Sequence, residues 1–152
     1  MKEALSTTFT GMVTLLVAAT LSAAIMGGFS MEIPEAPAVN PFDMALQAEA
    51  KGIETVSTGQ MREMVESGSH LILDARESSA YDEAHIPTAR SFSIHDFEEQ
   101  FPVMLPMLSS GMPVVVYCTG PFCDDALRLI ERLRETGFPN AVLYLDGMEG
   151  WE

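Results

Sequence analysis

Cys118 and Cys123 are the two cysteines of this 152-residue chain. Cys118 comes directly after the apolar, largely β-branched run Pro113-Val114-Val115-Val116-Tyr117. The segment Thr119-Gly120-Pro121-Phe122-Cys123 then leads into a helical pattern that opens near Asp124. A thiol at such a strand-loop-helix junction faces oriented backbone N–H groups and the positive end of a helix dipole, which favour thiolate over thiol. Cys118 is therefore the candidate nucleophile, and Thr119, Gly120, Pro121, Phe122, Cys123 and Asp124 form the candidate substrate-binding loop. The bland alternative is a small hydrophobe that closes the strand. Cys123 also has two readings. It packs inward with Ala126, Leu127 and Ile130, or it meets Cys118 as a redox partner, which needs Cα atoms within roughly 7 Å. Two cysteines make neither a disulfide framework nor, unaided, a four-ligand zinc site, so no metal and no cofactor is expected.

The composition narrows the partners. Twenty-two acidic residues against eight Lys and Arg leave a formal charge of −14, so there is no basic footprint for phosphates and nucleic acid is excluded as a partner. With 47% hydrophobic and 20% charged residues, the chain can bury a core. Lys2 and Glu3 are the only charged residues before Glu32, so the whole negative balance belongs to residues 32–152, where it suits a solvated surface.

The elements that must position Cys118 alternate in type. Ile53 to Val56 reads as a short strand, and Ser57 and Gln60 have capping-box spacing ahead of a helix with Met61, Met64 and Val65 on one side, ending at Ser67-Gly68. Leu71-Ile72-Leu73 and Pro113 to Tyr117 are unalternating apolar runs, as expected for parallel strands buried on both faces. Ser93 to Asp96 opens a helical piece that Pro102 and Pro106 are expected to break up. Ala126, Leu127, Ile130 and Leu133 fall at helical spacing up to the stop at Gly137 and Pro139, and Ala141 to Leu145 is the last strand. This alternation predicts a layered α/β parallel sheet with sites beyond the carboxyl ends of its strands.

Ahead of that unit, Phe9 to Phe29 carries no charge and is long enough to cross a hydrocarbon core at about 1.5 Å per residue. Residues 1–31 read as one transmembrane anchor, with a cleaved signal segment as the competing reading. Pro34, Pro37 and Pro41 mark residues 32–51 as an extended linker, and the folded domain is expected over 52–152. Lys2 lies before the span and Glu32 and Glu35 after it, so the positive-inside tendency puts the soluble domain on the extracytoplasmic, periplasmic side.

Three ordered passages resemble the rhodanese family. Residues 70–90, HLILDARESSAYDEAHIPTAR, are similar to the rhodanese signature through Asp74, Arg76, Tyr81, His85, Ile86 and Pro87; VVVYC with its loop resembles the active-site strand and cradle; YLDGMEGW resembles the closing turn through Gly147 and Trp151. The resemblance covers about residues 53–152. It implies about five parallel strands flanked by helices, with Cys118 accepting a sulfane sulfur as a persulfide and passing it to a thiol acceptor. By the same resemblance Asp74 and Arg76 are scaffold near the site, and His85 is structural.

The departures refine the expectation. Ala84 and Thr88 stand where the family often has glycine, implying modest changes in turn geometry. The loop carries no Lys or Arg, Pro121 removes an N–H, and Asp124 and Asp125 follow, so a persulfide or polysulfide donor is favoured over thiosulfate. Asp124 also stands where a phosphatase or arsenate reductase of this fold would place the Arg of Cys-x5-Arg. The leading expectation is a membrane-tethered sulfurtransferase or persulfide carrier. The alternative is a non-catalytic binding or redox-sensing module using Cys118 and Cys123. A thiol-disulfide oxidoreductase ranks last, because Cys-x4-Cys is not the Cys-x-x-Cys spacing of that chemistry.

Overall fold

The computed structural model describes residues 43–152. Five strands form one parallel sheet: β1 (Thr55–Val56), β2 (Leu71–Asp74), β3 (Arg90–Ser91), β4 (Val114–Tyr117) and β5 (Ala141–Tyr144), in the order β1-β5-β4-β2-β3. β4 lies in the middle. Its register pairs Val114 with Leu71 and Ala141, and Tyr117 with Asp74 and Tyr144. Because every strand runs the same way, Asp74, Tyr117 and Tyr144 reach one edge together. The chain leaves β2 toward β3 on one side and leaves β4 toward β5 on the other, so their loops diverge above that edge.

Burial on both faces explains the unalternating runs. Leu71, Leu73, Val114, Val116, Ala141 and Leu143 share one core with Cys118 and with residues of three helices, α1 (Met44–Ala50), α4 (Phe97–Leu108) and α5 (Asp125–Glu135). On the opposite face Ile72, Val115, Tyr117 and Tyr144 pack with Met61 of α2 (Thr58–Ser67), with Ile86, which follows α3 (Ser78–Glu83), and with Met148 of α6 (Gly147–Trp151). The Ser57 and Gln60 capping box forms in both directions, and Gly68 closes α2 in the left-handed conformation at φ 61°. In α5, Ala126, Leu127, Leu129, Ile130 and Leu133 are buried while Arg128 faces solvent.

Two expectations about this part of the chain are corrected. The last residues of the expected linker are helical: Asp43 caps α1 by accepting the Leu46 N–H at 3.2 Å, and Met44 and Ala48 are buried in the core. Arg134 donates to the Lys51 and Gly52 carbonyls at 2.9 Å each, and Lys51 pairs with Glu131. The folded unit thus reaches back to Asp43, because past Pro41 the sequence offers a capping Asp followed by good helix formers.

Second, Pro102 and Pro106 lie inside the continuous helix α4. Each removes one i−4 hydrogen bond, but Glu98, Pro102 and Pro106 are exposed, so the freed carbonyls face water. The opposite stripe holds the helix: Phe97, Met104 and Leu108 are buried, and Phe101 stacks on Phe97 with centroids 5.1 Å apart.

Among the described residues no helix is long and apolar enough to cross a membrane. The expected span at 9–29 lies outside them.

Candidate functional site

Cys118 lies one residue past β4, 2% exposed, at the carboxyl edge of the sheet. Thr119 is exposed, Gly120 is buried, and the Cys123 N–H turns back to the Gly120 carbonyl at 3.1 Å. That turn brings the two cysteine Cα atoms to 6.2 Å and joins their sulfurs in a disulfide. Cys123 touches the core only at its margin, so the reading of it as a packing residue gives way to the redox pair. The outer sulfur is that of Cys123, which is partly exposed, and an external thiolate reaches it first, with Cys118 as the leaving group.

The loop is held from behind by the turn into α6. The Met148 and Glu149 N–H groups donate to the Cys118 and Thr119 carbonyls, each at 2.9 Å. Gly147 makes this possible: its φ is 60°, and a Cβ there would stand 2.5 Å from the Cys118 carbonyl oxygen and 2.7 Å from the Gly120 nitrogen. The Glu149 side chain lies over Gly120, and together with Thr119, Phe122 and Cys123 it lines a shallow hollow of about 220 Å³. Phe122 is 72% exposed at the rim.

The electrostatics are anionic. Asp124 occupies the N-cap position of α5, exposed and with no side-chain cap bond, and Asp125 is the acid of the first turn. The Asp125 Oδ2 lies 3.7 Å from the Cys123 Sγ and 4.0 Å from the Cys118 Sγ. Its other oxygen faces His95 Nε2 at 3.4 Å and Arg128 Nη1 at 3.5 Å. His95 and Glu149 had no role in the sequence reading of the site, and Asp125 entered it only as a negative charge. His95 comes from the segment leading into α4 and Glu149 from α6, and no local pattern links either to the loop.

Asp74 and Arg76 form the buried frame beside it. The Asp74 carboxylate is fully buried and accepts from Arg76 Nε (3.0 Å), Arg76 Nη2 (2.7 Å), the Arg76 backbone N–H (3.0 Å) and the Tyr117 hydroxyl (2.6 Å). The Tyr117 oxygen in turn accepts the Ile86 N–H at 3.1 Å, and Arg76 Nη2 donates to the Ala84 carbonyl at 2.7 Å. Burial, reinforced by the hydrogen bond to Asp74, pushes the Tyr117 phenol far above its ordinary range, so it stays a donor. The hydrogen bond to Asp74 raises Arg76 further still. His85 is exposed, stacks on Tyr81 with centroids 3.9 Å apart, and bonds the Tyr81 carbonyl through Nδ1 at 2.9 Å.

The family model described as Rhodanese-like domain matches residues 57–152. The chain belongs to the rhodanese-like domain family. Among curated proteins it is 27% identical over 100 residues to the Zea mays adenylyltransferase and sulfurtransferase MOCS3-2, an alignment covering 63% of this chain and 20% of that protein. It therefore spans about a fifth of that relative's length. It is also 27% identical over 111 residues to arsenate reductase 2.1 of Oryza sativa subsp. japonica, covering 68% and 69% of the two chains. The solved structure of BH2092 from Bacillus halodurans matches with a TM-score of 0.58 and 25% identity over 74% of this chain and 80% of that one.

Thr88 takes φ 70°, the one non-glycine positive φ among the described residues. That left-handed conformation favours glycine and costs a threonine about 1–3 kcal/mol.

Proposed function

We propose that the domain transfers sulfane sulfur through Cys118, with Cys123 as the resolving thiol. The observation that carries this reading is the Cys118–Cys123 bond at the mouth of the central strand. In the reduced protein the Cys118 thiolate attacks the outer sulfur of a persulfide or polysulfide, forming Cys118–S–SH and expelling the donor's thiolate. Either an acceptor thiolate then takes the outer sulfur and regenerates the Cys118 thiolate, or the Cys123 thiolate attacks Cys118 Sγ and expels hydrosulfide. The second course closes the disulfide, and an external dithiol must reduce it before another turnover. The exposed Phe122 offers an apolar contact to the acceptor.

The segment 9–29 tethers the domain to a membrane in this reading and holds it on the extracytoplasmic side, where disulfides persist. A second reading, a redox-sensing module without turnover, draws on the same disulfide.

Intact mass separates them. Reduced Cys123→Ser protein treated with a persulfide donor should gain about 32 Da, the mass of one sulfur, at a thiolate that the further change Cys118→Ser removes. An adduct that survives Cys118→Ser assigns the chemistry elsewhere, and a Cys123→Ser variant that takes up no sulfur leaves only the sensing module.

Oxyanions should be poor substrates. Thiosulfate, and equally the arsenate of the rice relative's name, meets Asp124, Asp125 and Glu149 at a loop with no Lys or Arg of its own, Arg128 nearby being paired with Asp125. Asp124 is exposed and caps nothing through its side chain, so Asp124→Arg should fold normally and raise thiosulfate kcat/KM roughly tenfold, at the low end of electrostatic focusing effects. Added salt should help the wild type by screening. Efficient thiosulfate turnover that falls with salt contradicts this.

A further inference from the structure

We propose that the reduced loop is a binding site for a thiophilic divalent cation, with Cys118, Cys123 and Asp125 as ligands and zinc as the ion that fits. The sulfur and carboxylate atoms of these residues all lie within 4.8 Å of one another. In a tetrahedral zinc centre, with metal–sulfur bonds of about 2.3 Å and metal–oxygen bonds of about 2.0–2.2 Å, sulfur and oxygen ligands stand roughly 3.6 Å apart. The Asp125 Oδ2 already stands 3.7 Å and 4.0 Å from the two sulfurs. The only edge of the ligand triangle that must open is the one between the sulfurs, and reduction opens it. Asp125 is also held from its far side. His95 Nε2 lies 3.4 Å from Oδ1, the partner that fixes a ligating carboxylate, while Arg128, at 3.5 Å and half exposed, is free to swing into solvent.

The donor set selects the ion. Two thiolates with one carboxylate suit a borderline-soft cation and not magnesium or calcium, which prefer oxygen donors. The net charge of −14 draws cations toward the loop. Three protein ligands leave a fourth position for water. The exchange balances: a phosphine and water reduce the disulfide to two thiols and phosphine oxide, and the cation then replaces the thiol protons. Metal and sulfane sulfur thus compete for Cys118, and closing the disulfide ejects the metal. The site stands whether or not Cys118 transfers sulfur.

The test uses the full-length chain, reduced with a phosphine, freed of reductant without air, and titrated with zinc alone, with cobalt as the visible probe. The reduced protein should bind one equivalent, release thiol protons, show the spectrum of tetrahedral thiolate-bound cobalt, and protect both cysteines from alkylation. The disulfide form should bind none. Asp125→Ala should weaken binding about tenfold or more, and the shape-preserving Asp125→Asn should weaken it too if the alanine variant is poorly folded. The proposal is overturned if the reduced wild type takes up no stoichiometric metal, if both Asp125 variants keep wild-type affinity, or if the disulfide form binds equally well. Absence of the 32 Da adduct from Cys123→Ser, with metal uptake by the wild type intact, rejects the sulfur-transfer reading alone.

Discussion

Cys123→Ser is expected to keep sulfur on Cys118 and to stop its release. With Cα atoms 6.2 Å apart, the Cys123 thiolate attacks from within bonding reach, and effective concentrations of well-aligned intramolecular groups reach roughly 10⁵ M or more. External thiols at millimolar concentration replace such a group poorly. The rate of hydrosulfide release after loading with one equivalent of persulfide donor, followed colorimetrically in a single turnover without external thiol, should fall by about 100-fold or more in the variant. The sulfur adduct on Cys118 should meanwhile outlast that of the wild type. Serine is nearly isosteric and the position is at the margin of the core, so folding is not at issue. If the variant releases hydrosulfide at the wild-type rate, Cys123 is not the resolving thiol and sulfur leaves Cys118 only to an external acceptor.

Arg76→Ala should be the most destabilising single change near the site. Asp74 is fully buried, and Arg76, whose side chain is 11% exposed, supplies three of the four donor groups that bond it, two of them guanidinium nitrogens that reach Oδ1 and Oδ2. The backbone N–H and Tyr117 remain in the variant, but the charge is uncompensated. Removing one partner of a buried pair costs about 3–5 kcal/mol, against a total stability of about 5–15 kcal/mol for a domain. Urea unfolding at neutral pH should show the drop as a lower midpoint with an unchanged slope. A loss below about 1 kcal/mol means that water or another group solvates Asp74 and that the frame is not what holds the edge of the sheet. Because Asp74 pairs in register with Tyr117, next to Cys118, the same variant should also loosen the loop.

Much of the fold is legible along the chain because its signals are local. The runs 71–73 and 113–117 are apolar without alternation, and their burial on both faces follows from that alone. Ser57, Gln60 and Gly68 mark the ends of α2 through contacts three residues apart or through a single backbone angle. The place of Cys118, one step past an apolar strand and before a helix, follows from the order of those elements, as does the anionic loop, whereas the scaffold role of Asp74 and Arg76 came from the family resemblance and their pairing from the structure. Where local rules misjudge, a tertiary face decides. Pro102 and Pro106 argue against a helix, yet Phe97, Met104 and Leu108 pack into the core and leave the orphaned carbonyls to water. The prolines before residue 43 speak for a linker, yet Met44 and Ala48 find a buried surface and Arg134 caps the end of the segment from far along the chain.

The site divides the same way. By itself the sequence determined that Cys118 follows an apolar strand, which loop comes next and that the loop and its neighbours carry negative charge, because residue type and neighbouring positions suffice for these. Only the tertiary structure decided that Cys123 bonds to Cys118, that Asp125 stands beside both sulfurs with His95 behind it, and that Glu149 lies over Gly120. His95 reaches Asp125 across the start of two helices, and Glu149 reaches the loop from the far side of β5 along the chain. Such contacts are set by the direction and stacking of whole elements on the sheet, which depend on the packed core and leave no periodicity in the residues they bring together.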